Sequence, residues 1–267
     1  MPEKIEVLER RANVLNIGYL TFTGTIRLTF QIIDDLPFYF EPGQHVTFEA
    51  VTPLGNRHQH EYSVLSPPSE ERQFSILVRI IQGGYVSTFL GCLAEGDVVN
   101  FGGPSGNSML PHVHEAKNLV IMATGTGISP IHSLLQYLLP DRFDRSIQLY
   151  WGLRLVEDVC LMDELSALAE TYSNFRYQVS LSDPPEGWRG LRGRITESVP
   201  PLLNQPGENR YVLSGNGGMI NEMRKALQAV GVSDKAIRRE YFFNQNYPAS
   251  PERVDEIVSR FGAYIAL

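Results

Sequence analysis

The chain has only two cysteines, Cys92 and Cys160, in 267 residues. They form no C-x-x-C pair, which excludes a zinc knuckle or a cysteine-ligated iron–sulfur cluster built from this chain. Such sparse use of cysteine suits a reduced, cytoplasmic setting. Long apolar runs are missing too: none approaches the ~18 residues that a membrane helix needs. Residues 1–11 carry charges of both signs and no apolar stretch, so no signal peptide is expected. A basic surplus is also lacking. Lys plus Arg is 23 against 30 for Asp plus Glu, a net charge of −7, which argues against nucleic acid or an anionic membrane surface as the main partner. There is no G-x-S-x-G, H-E-x-x-H or P-loop pattern, no internal repeat and no low-complexity segment. What is present is an ordinary globular composition, 43% hydrophobic and 20% charged, long enough for one or two real cores.

Alternation and turn punctuation make the first ~110 residues β-rich. Strands are expected over Val7–Val14, Thr23–Ile33, His45–Glu49, Tyr62–Leu65, Phe74–Ile80 and Asp97–Phe101. Turns such as Glu41-Pro42-Gly43 and Ser66-Pro67-Pro68 separate them. Short strands so spaced suggest a small antiparallel barrel. The pattern changes near Pro111. Leu119-Val120-Ile121-Met122 reads as a strand buried on both faces. Helices are then expected over Ile128–Leu139, Met162–Tyr172, Ile195–Leu203 and Met219–Val230. They alternate with strands over Ile147–Tyr150, Tyr177–Leu181, Tyr211–Leu213 and Ile237–Phe242. Such repetition implies parallel crossovers and an α/β doubly wound parallel sheet. The expected division is therefore a β-barrel domain over 1–112 and an α/β domain over 113–267. A tail helix is expected beyond Ser250, with Val254, Ile257, Val258 and Phe261 on one face and Gly262 as its stop.

Two glycine-rich strand ends carry the strongest chemical signal. Gly125-Thr126-Gly127-Ile128-Ser129-Pro130 follows the first apolar strand and opens a helix. Glycine lets the backbone approach a ligand, the helix N-terminus offers N–H donors to a pyrophosphate, and Pro130 has no N–H to waste. Ser214-Gly215-Asn216-Gly217-Gly218-Met219 ends a later strand of the same sheet. Ligands of open α/β sheets bind outside the carboxyl ends of strands. In the β-rich half, His60-Glu61-Tyr62-Ser63 offers an aromatic face and a donor to a flat ligand, although a core tyrosine is the simpler reading. Gly84-Tyr85-Val86-Ser87 is a second candidate anion-binding turn. The H-x-H pairs His58/His60 and His112/His114 lack an evident third metal ligand.

Taken in order, these segments resemble the ferredoxin–NADP reductase superfamily. The matching pieces are Phe40-Glu41-Pro42-Gly43-Gln44, the R-x-Y-S-like His60–Ser63, the G-x-x-S of Gly84–Ser87 and the G-T-G-x-x-P of Gly125–Pro130. Then come Tyr150-Trp151-Gly152-Leu153-Arg154, Trp188-Arg189-Gly190 with Gly193-Arg194, Ser214-Gly215 and Glu240-Tyr241-Phe242. The resemblance implies a flavin-binding barrel followed by a nicotinamide-nucleotide domain. It implies FAD as cofactor, NADH or NADPH as hydride donor, and a separate electron-acceptor protein: a ferredoxin, a flavodoxin or an oxygenase component. Alternatives are a reductase of free small acceptors, such as ferric complexes or free flavin, and an electron-transfer subunit of a larger complex. Tyr62 would stack on the isoalloxazine and Ser63 would bond near N5. His60, Glu61, Val78, Arg79 and Gly84–Ser87 would complete the flavin contacts. Thr124, Gly125, Thr126, Gly127, Pro130, Arg154, Ser182, Asp183, Ser214, Gly215, Asn216 and Met219 would hold the nicotinamide nucleotide. Glu240 and Phe242 would lie at the flavin edge. Ser63, Ser214 and Glu240 are the implied catalytic residues.

Departures from the family pattern carry expectations of their own. His60 replaces an arginine that grips phosphate at any pH, and Arg79 on the next strand is expected to supply the charge. Ser214 stands where the family often has cysteine, and its less polarizable hydroxyl implies slower hydride transfer. Asp183 would repel a 2′-phosphate and serve a ribose hydroxyl, which favours NADH. Arg189, Arg192 and Arg194 would favour NADPH instead.

Overall fold

The computed structural model describes residues 8–69, 72–81, 83–140 and 142–242. The expected tail helix beyond Ser250 lies outside the described residues. The chain divides into two compact units between Asn107 and Ser108.

The N-terminal unit contains β1 (Arg10–Tyr19), β2 (Thr25–Ile32), β3 (His45–Val51), β4 (Arg57–Ser63), β5 (Gln73–Arg79), helix α1 (Tyr85–Gly91) and β6 (Val98–Ser105). The strands form an antiparallel sheet in the order β4-β3-β6-β1-β2-β5. Its two ends meet at a Val64–Ile76 bridge and a 2.7 Å bond from the Leu65 amide to the Ser75 carbonyl. The sheet thus curls into the expected barrel. Alternate residues point inward, and Phe30, Phe48, Phe74 and Phe101 are fully buried there. Ring centroids 5.1–5.2 Å apart link Phe30 to both Phe48 and Phe74, a spacing that suits offset aromatic packing.

β4 begins at Arg57, five residues earlier than its composition suggests. Arg57-His58-Gln59-His60-Glu61 is polar, but β3 recruits it, pairing Val51 with Arg57 through to His45 with Ser63. Ladder bonds to a strand already in place outweigh weak local propensity.

An ion pair braces the loop after β2. Arg10 lies beneath it and Asp34 is nearly as enclosed, with the guanidinium Nε 3.1 Å from the carboxylate. The same guanidinium donates to the Leu36 and Pro37 carbonyls and lies over the Phe38 and Phe101 rings. Burial alone would raise the Asp34 pKa, but bonds from Arg10 and from the Arg11 and Leu36 amides hold it below its ordinary 3.8.

The C-terminal unit begins with α2 (Leu110–His114) and β7 (Asn118–Thr124). Next come α3 (Ile128–Leu138), β8 (Ile147–Leu153), α4 (Met162–Thr171), β9 (Phe175–Leu181) and β10 (Leu191–Arg192). It continues with α5 (Ile195–Ser198), β11 (Asn209–Asn216), α6 (Gly217–Ala229) and β12 (Ile237–Phe242). The strands form a parallel sheet ordered β10-β9-β8-β7-β11-β12. The helix expected over Ile195–Leu203 breaks after Ser198 into a separate 3-10 turn at Pro200–Leu202. Pro200 and Pro201 have no N–H to continue the helical ladder.

Asp34→Ala should lower the stability of the N-terminal unit by about 3 kcal/mol, because Arg10 is left buried without its counter-charge. The depressed carboxyl contributes stability that is present above pH 3.8 and is lost as pH falls below it. Urea unfolding followed against pH should therefore show a shallower acid-side loss in Asp34→Asn than in the native chain.

Candidate active site

In the C-terminal sheet, β7, β8, β9 and β10 add outward in one direction, while β11 and β12 add in the other. The order reverses between β7 and β11, where a doubly wound sheet opens a crevice at its carboxyl edge. Both glycine-rich segments end there. Thr124 closes β7, Asn216 closes β11, and the parallel register sets Phe242 of β12 beside Asn216 and Glu240 beside Ser214.

The two strand ends touch through backbone. A Cβ on Gly127 would lie 2.6 Å from the Ser214 carbonyl oxygen and 2.7 Å from the Gly215 Cα. A Cβ on Gly215, at φ +132°, would collide with the Thr124 hydroxyl. Gly125 has open space around it and is required instead by its left-handed φ of +54°. Side chains reinforce the crossing. The fully buried Ser214 hydroxyl donates to the Gly127 carbonyl at 2.8 Å. Thr124 Oγ1 accepts from the Asn216 amide at 3.1 Å. Asn216 Oδ1 accepts from the Gly218 amide and caps α6. Met219 and Pro130 are buried, while Gly125 is exposed and Thr126 half-buried.

Arg154, Ser182 and Asp183 form a second group, just past the carboxyl ends of β8 and β9. The Ser182 amide donates to the Leu153 carbonyl and the Asp183 amide to the Arg154 carbonyl. Both Arg154 and Asp183 are exposed. Arg192 donates to the Pro185 and Trp188 carbonyls and so braces its own loop. Glu240 is three-quarters buried and paired with Arg238 at 2.5 Å. Burial pushes its pKa up, and Arg238 opposes that shift.

In the N-terminal unit, Tyr62 belongs to the barrel core, edge-on to Phe48, and burial pushes its phenol pKa up. His60 lies 5.1 Å from Tyr62, with Nδ1 2.8 Å from the Glu61 carbonyl. Val78 and Val86 point into the core, so any contact with a ligand falls to their backbones. The Arg79 guanidinium donates to the hydroxyls of Thr23 and Thr25. At the start of α1, Ser87 Oγ accepts from the Ile81 amide and donates to the Gly84 carbonyl. A Cβ on Gly84 would lie 2.6 Å from that hydroxyl. The turn therefore has no room for a Cβ at Gly84. Tyr85 stacks on His58 at 4.1 Å and 16°.

Three contacts of these groups are not legible in the sequence. His45 faces Ser63 across the β3–β4 register, with Nε2 3.5 Å from Glu61. His58 supports Tyr85. Trp151 sends its indole N–H to the Gly125 carbonyl at 3.0 Å. Each sits in a strand whose partner becomes known only from the register.

The N-terminal unit is thus an antiparallel barrel, and the C-terminal unit a doubly wound parallel sheet with two glycine-rich strand ends at its reversal point. The model of an oxidoreductase FAD-binding domain matches residues 23–109, and that of an oxidoreductase NAD-binding domain matches 121–225. The chain is 34% identical over 179 residues to ferredoxin–NADP reductase B of Sorangium cellulosum, covering 67% of this chain and 72% of that protein. It is 27% identical over 233 residues to the toluate 1,2-dioxygenase electron transfer component of Pseudomonas putida, covering 87% and 67%. Its structure resembles the Amycolatopsis cytochrome P450 reductase GcoB, with a TM-score of 0.77 and 27% identity over 90% of this chain and 70% of that one. The chain belongs to the ferredoxin–NADP reductase superfamily. It is an oxidoreductase that uses FAD and NAD(P)H, and among its described residues no helix is long and apolar enough to cross a membrane.

Gly127→Ala drives a Cβ into backbone that has no room to retreat. The variant should lose about 2 kcal/mol of stability and show a KM for NAD(P)H raised by roughly an order of magnitude. Thermal melting and steady-state kinetics with ferricyanide check both.

Proposed function

We propose that this protein takes a hydride from NADH onto FAD and passes electrons singly to a separate acceptor protein. That acceptor is a ferredoxin, a flavodoxin or an oxygenase component. The observation that carries the reading is the reversal of strand order between β7 and β11, where both glycine-rich ends converge. A separate acceptor fits two kinships: the toluate dioxygenase relative and the xylene/toluene monooxygenase relative of Pseudomonas putida are each named an electron transfer component. Two cysteines in 267 residues, Cys92 and Cys160, with no C-x-x-C spacing, suit a reducing compartment such as the cytoplasm.

The bound flavin supplies the two-electron to one-electron conversion. The chain supplies position. In the barrel, the Gly84–Ser87 turn holds the flavin pyrophosphate by backbone. Tyr62 presents a rigid aromatic face, Ser63 offers a hydroxyl near N5, and Glu61 and His60 flank them. Arg79, anchored on two threonine hydroxyls, contributes the guanidinium that the family pattern places where this chain has His60. In the nucleotide unit, Thr124–Gly127, just ahead of Pro130 in the first turn of α3, receive the pyrophosphate of the nicotinamide nucleotide, while Gly215 and Asn216 border its nicotinamide end. Asp183, exposed beside Arg154, accepts from a ribose 2′-hydroxyl and repels a 2′-phosphate. Glu240 and Phe242 tune the flavin edge.

Purified protein should be yellow, and its flavin absorbance should bleach on anaerobic addition of NADH. A colourless chain that takes up no flavin overturns the proposal. Reduction of ferricyanide without coupling to any ferredoxin or oxygenase points instead to small acceptors. NADH should outperform NADPH in kcat/KM, and Asp183→Asn should narrow that gap several-fold. Arg79→Ala should release flavin on dilution more readily than the native protein, read by fluorescence of the filtrate.

A further inference from the structure

The Gly125–Gly127 segment is a single 3-10 turn between β7 and α3. Such a turn has little to hold it. Gly125 is exposed, Thr126 is half-buried, and Gly125 adopts a positive φ that glycine visits without cost. Glycine gains this freedom at the expense of order, since it loses the most conformational entropy on being fixed. A loop meant to meet a dinucleotide must nevertheless be ordered before the ligand arrives, or binding must supply that order.

Two buried side chains from flanking strands solve this problem. On one side, Trp151 of β8 is 1% exposed and donates its indole N–H to the Gly125 carbonyl at 3.0 Å. That carbonyl also accepts from the Ile128 amide, which closes the turn. On the other side, Ser214 of β11 is 0% exposed and donates its hydroxyl to the Gly127 carbonyl at 2.8 Å. The two carbonyls are thus drawn toward the sheet by donors from opposite neighbours of β7. Indole N–H is a donor only, so Trp151 has no competing role as an acceptor.

We propose that Trp151 and Ser214 are positioning residues for the nicotinamide nucleotide, holding the two glycine carbonyls so that the turn is ordered before the ligand binds. Ser214 is fully buried with its hydroxyl committed to Gly127, so it acts through the loop and not by touching the nicotinamide ring. The inference rests on the reading of this crevice as the nucleotide site.

The test uses the full-length flavin-loaded protein and ADP-ribose as probe, titrated by calorimetry. Trp151→Phe keeps the ring and removes the donor. Ser214→Ala removes the hydroxyl and adds no bulk. Each should weaken ADP-ribose binding roughly five- to tenfold, the size of one neutral hydrogen bond. KM for NADH should rise in step, with kcat changed less. Amide exchange over Gly125–Ile128 in the ligand-free protein should accelerate in both. Native affinity and native exchange in both variants would overturn the positioning role while leaving the nucleotide site intact. Lower melting temperature with unchanged ADP-ribose affinity would likewise overturn it, as the signature of packing alone. Failure of the native protein to bind ADP-ribose overturns the site reading and the inference together.

Discussion

The nucleotide unit depends on one close approach. At the reversal point of its sheet, the end of β11 presses against the turn that follows β7, backbone on backbone. No side chain fits between them: a Cβ on Gly127 or Gly215 meets main-chain atoms or the Thr124 hydroxyl. Glycine at both positions is therefore a steric demand of the crossing. Once the strands meet so closely, Ser214, Thr124 and Asn216 are within reach of the opposite segment, and their hydrogen bonds follow from it. Glycine at the crossing leaves main-chain groups unscreened by side chains, the kind of surface a phosphate-bearing ligand needs.

The barrel obeys a different constraint. Its interior is filled with phenylalanine rings, which pack well but do not specify a unique loop above them. Arg10 and Asp34 supply that specification. Arg10 lies over Phe38 and Phe101 and reaches the loop carbonyls, and Asp34 accepts from the Arg11 amide of β1 and the Leu36 amide of the loop. A buried ion pair adds little net stability over an apolar replacement, but it penalises every arrangement that leaves one charge unpaired. Here that penalty fixes the connection leading to β3, the strand against which β4 and its His60–Ser63 segment align.

Much of the architecture was legible in sequence because its signals are local. Leu119–Met122 is apolar throughout, as a strand covered on both faces must be. Gly125–Pro130 changes period from strand to helix within a few residues. The glycine-rich ends could be recognised for the same reason, since a missing side chain is visible in sequence. β4 was only half legible, because Arg57–Glu61 has no strand-like pattern and pairs only because β3 offers a ladder. The break in the helix at Ser198 was signalled by Pro200 and Pro201, a cue that helical spacing of apolar residues overrode.

The amino-acid order by itself determined the two kinds of layer, the places where glycine admits a ligand, and the kinship with flavin-dependent reductases. These are properties of neighbouring residues, read through period, turn chemistry and missing side chains. Tertiary structure alone decided which distant groups serve those places. Trp151 and Ser214 lie 26 and 87 residues from the carbonyls they hold, and Tyr85 finds His58 only once α1 packs on β4. The physical reason is that a hydrogen bond or ring stack between remote residues depends on strand order and register, and neither leaves a trace in the local pattern.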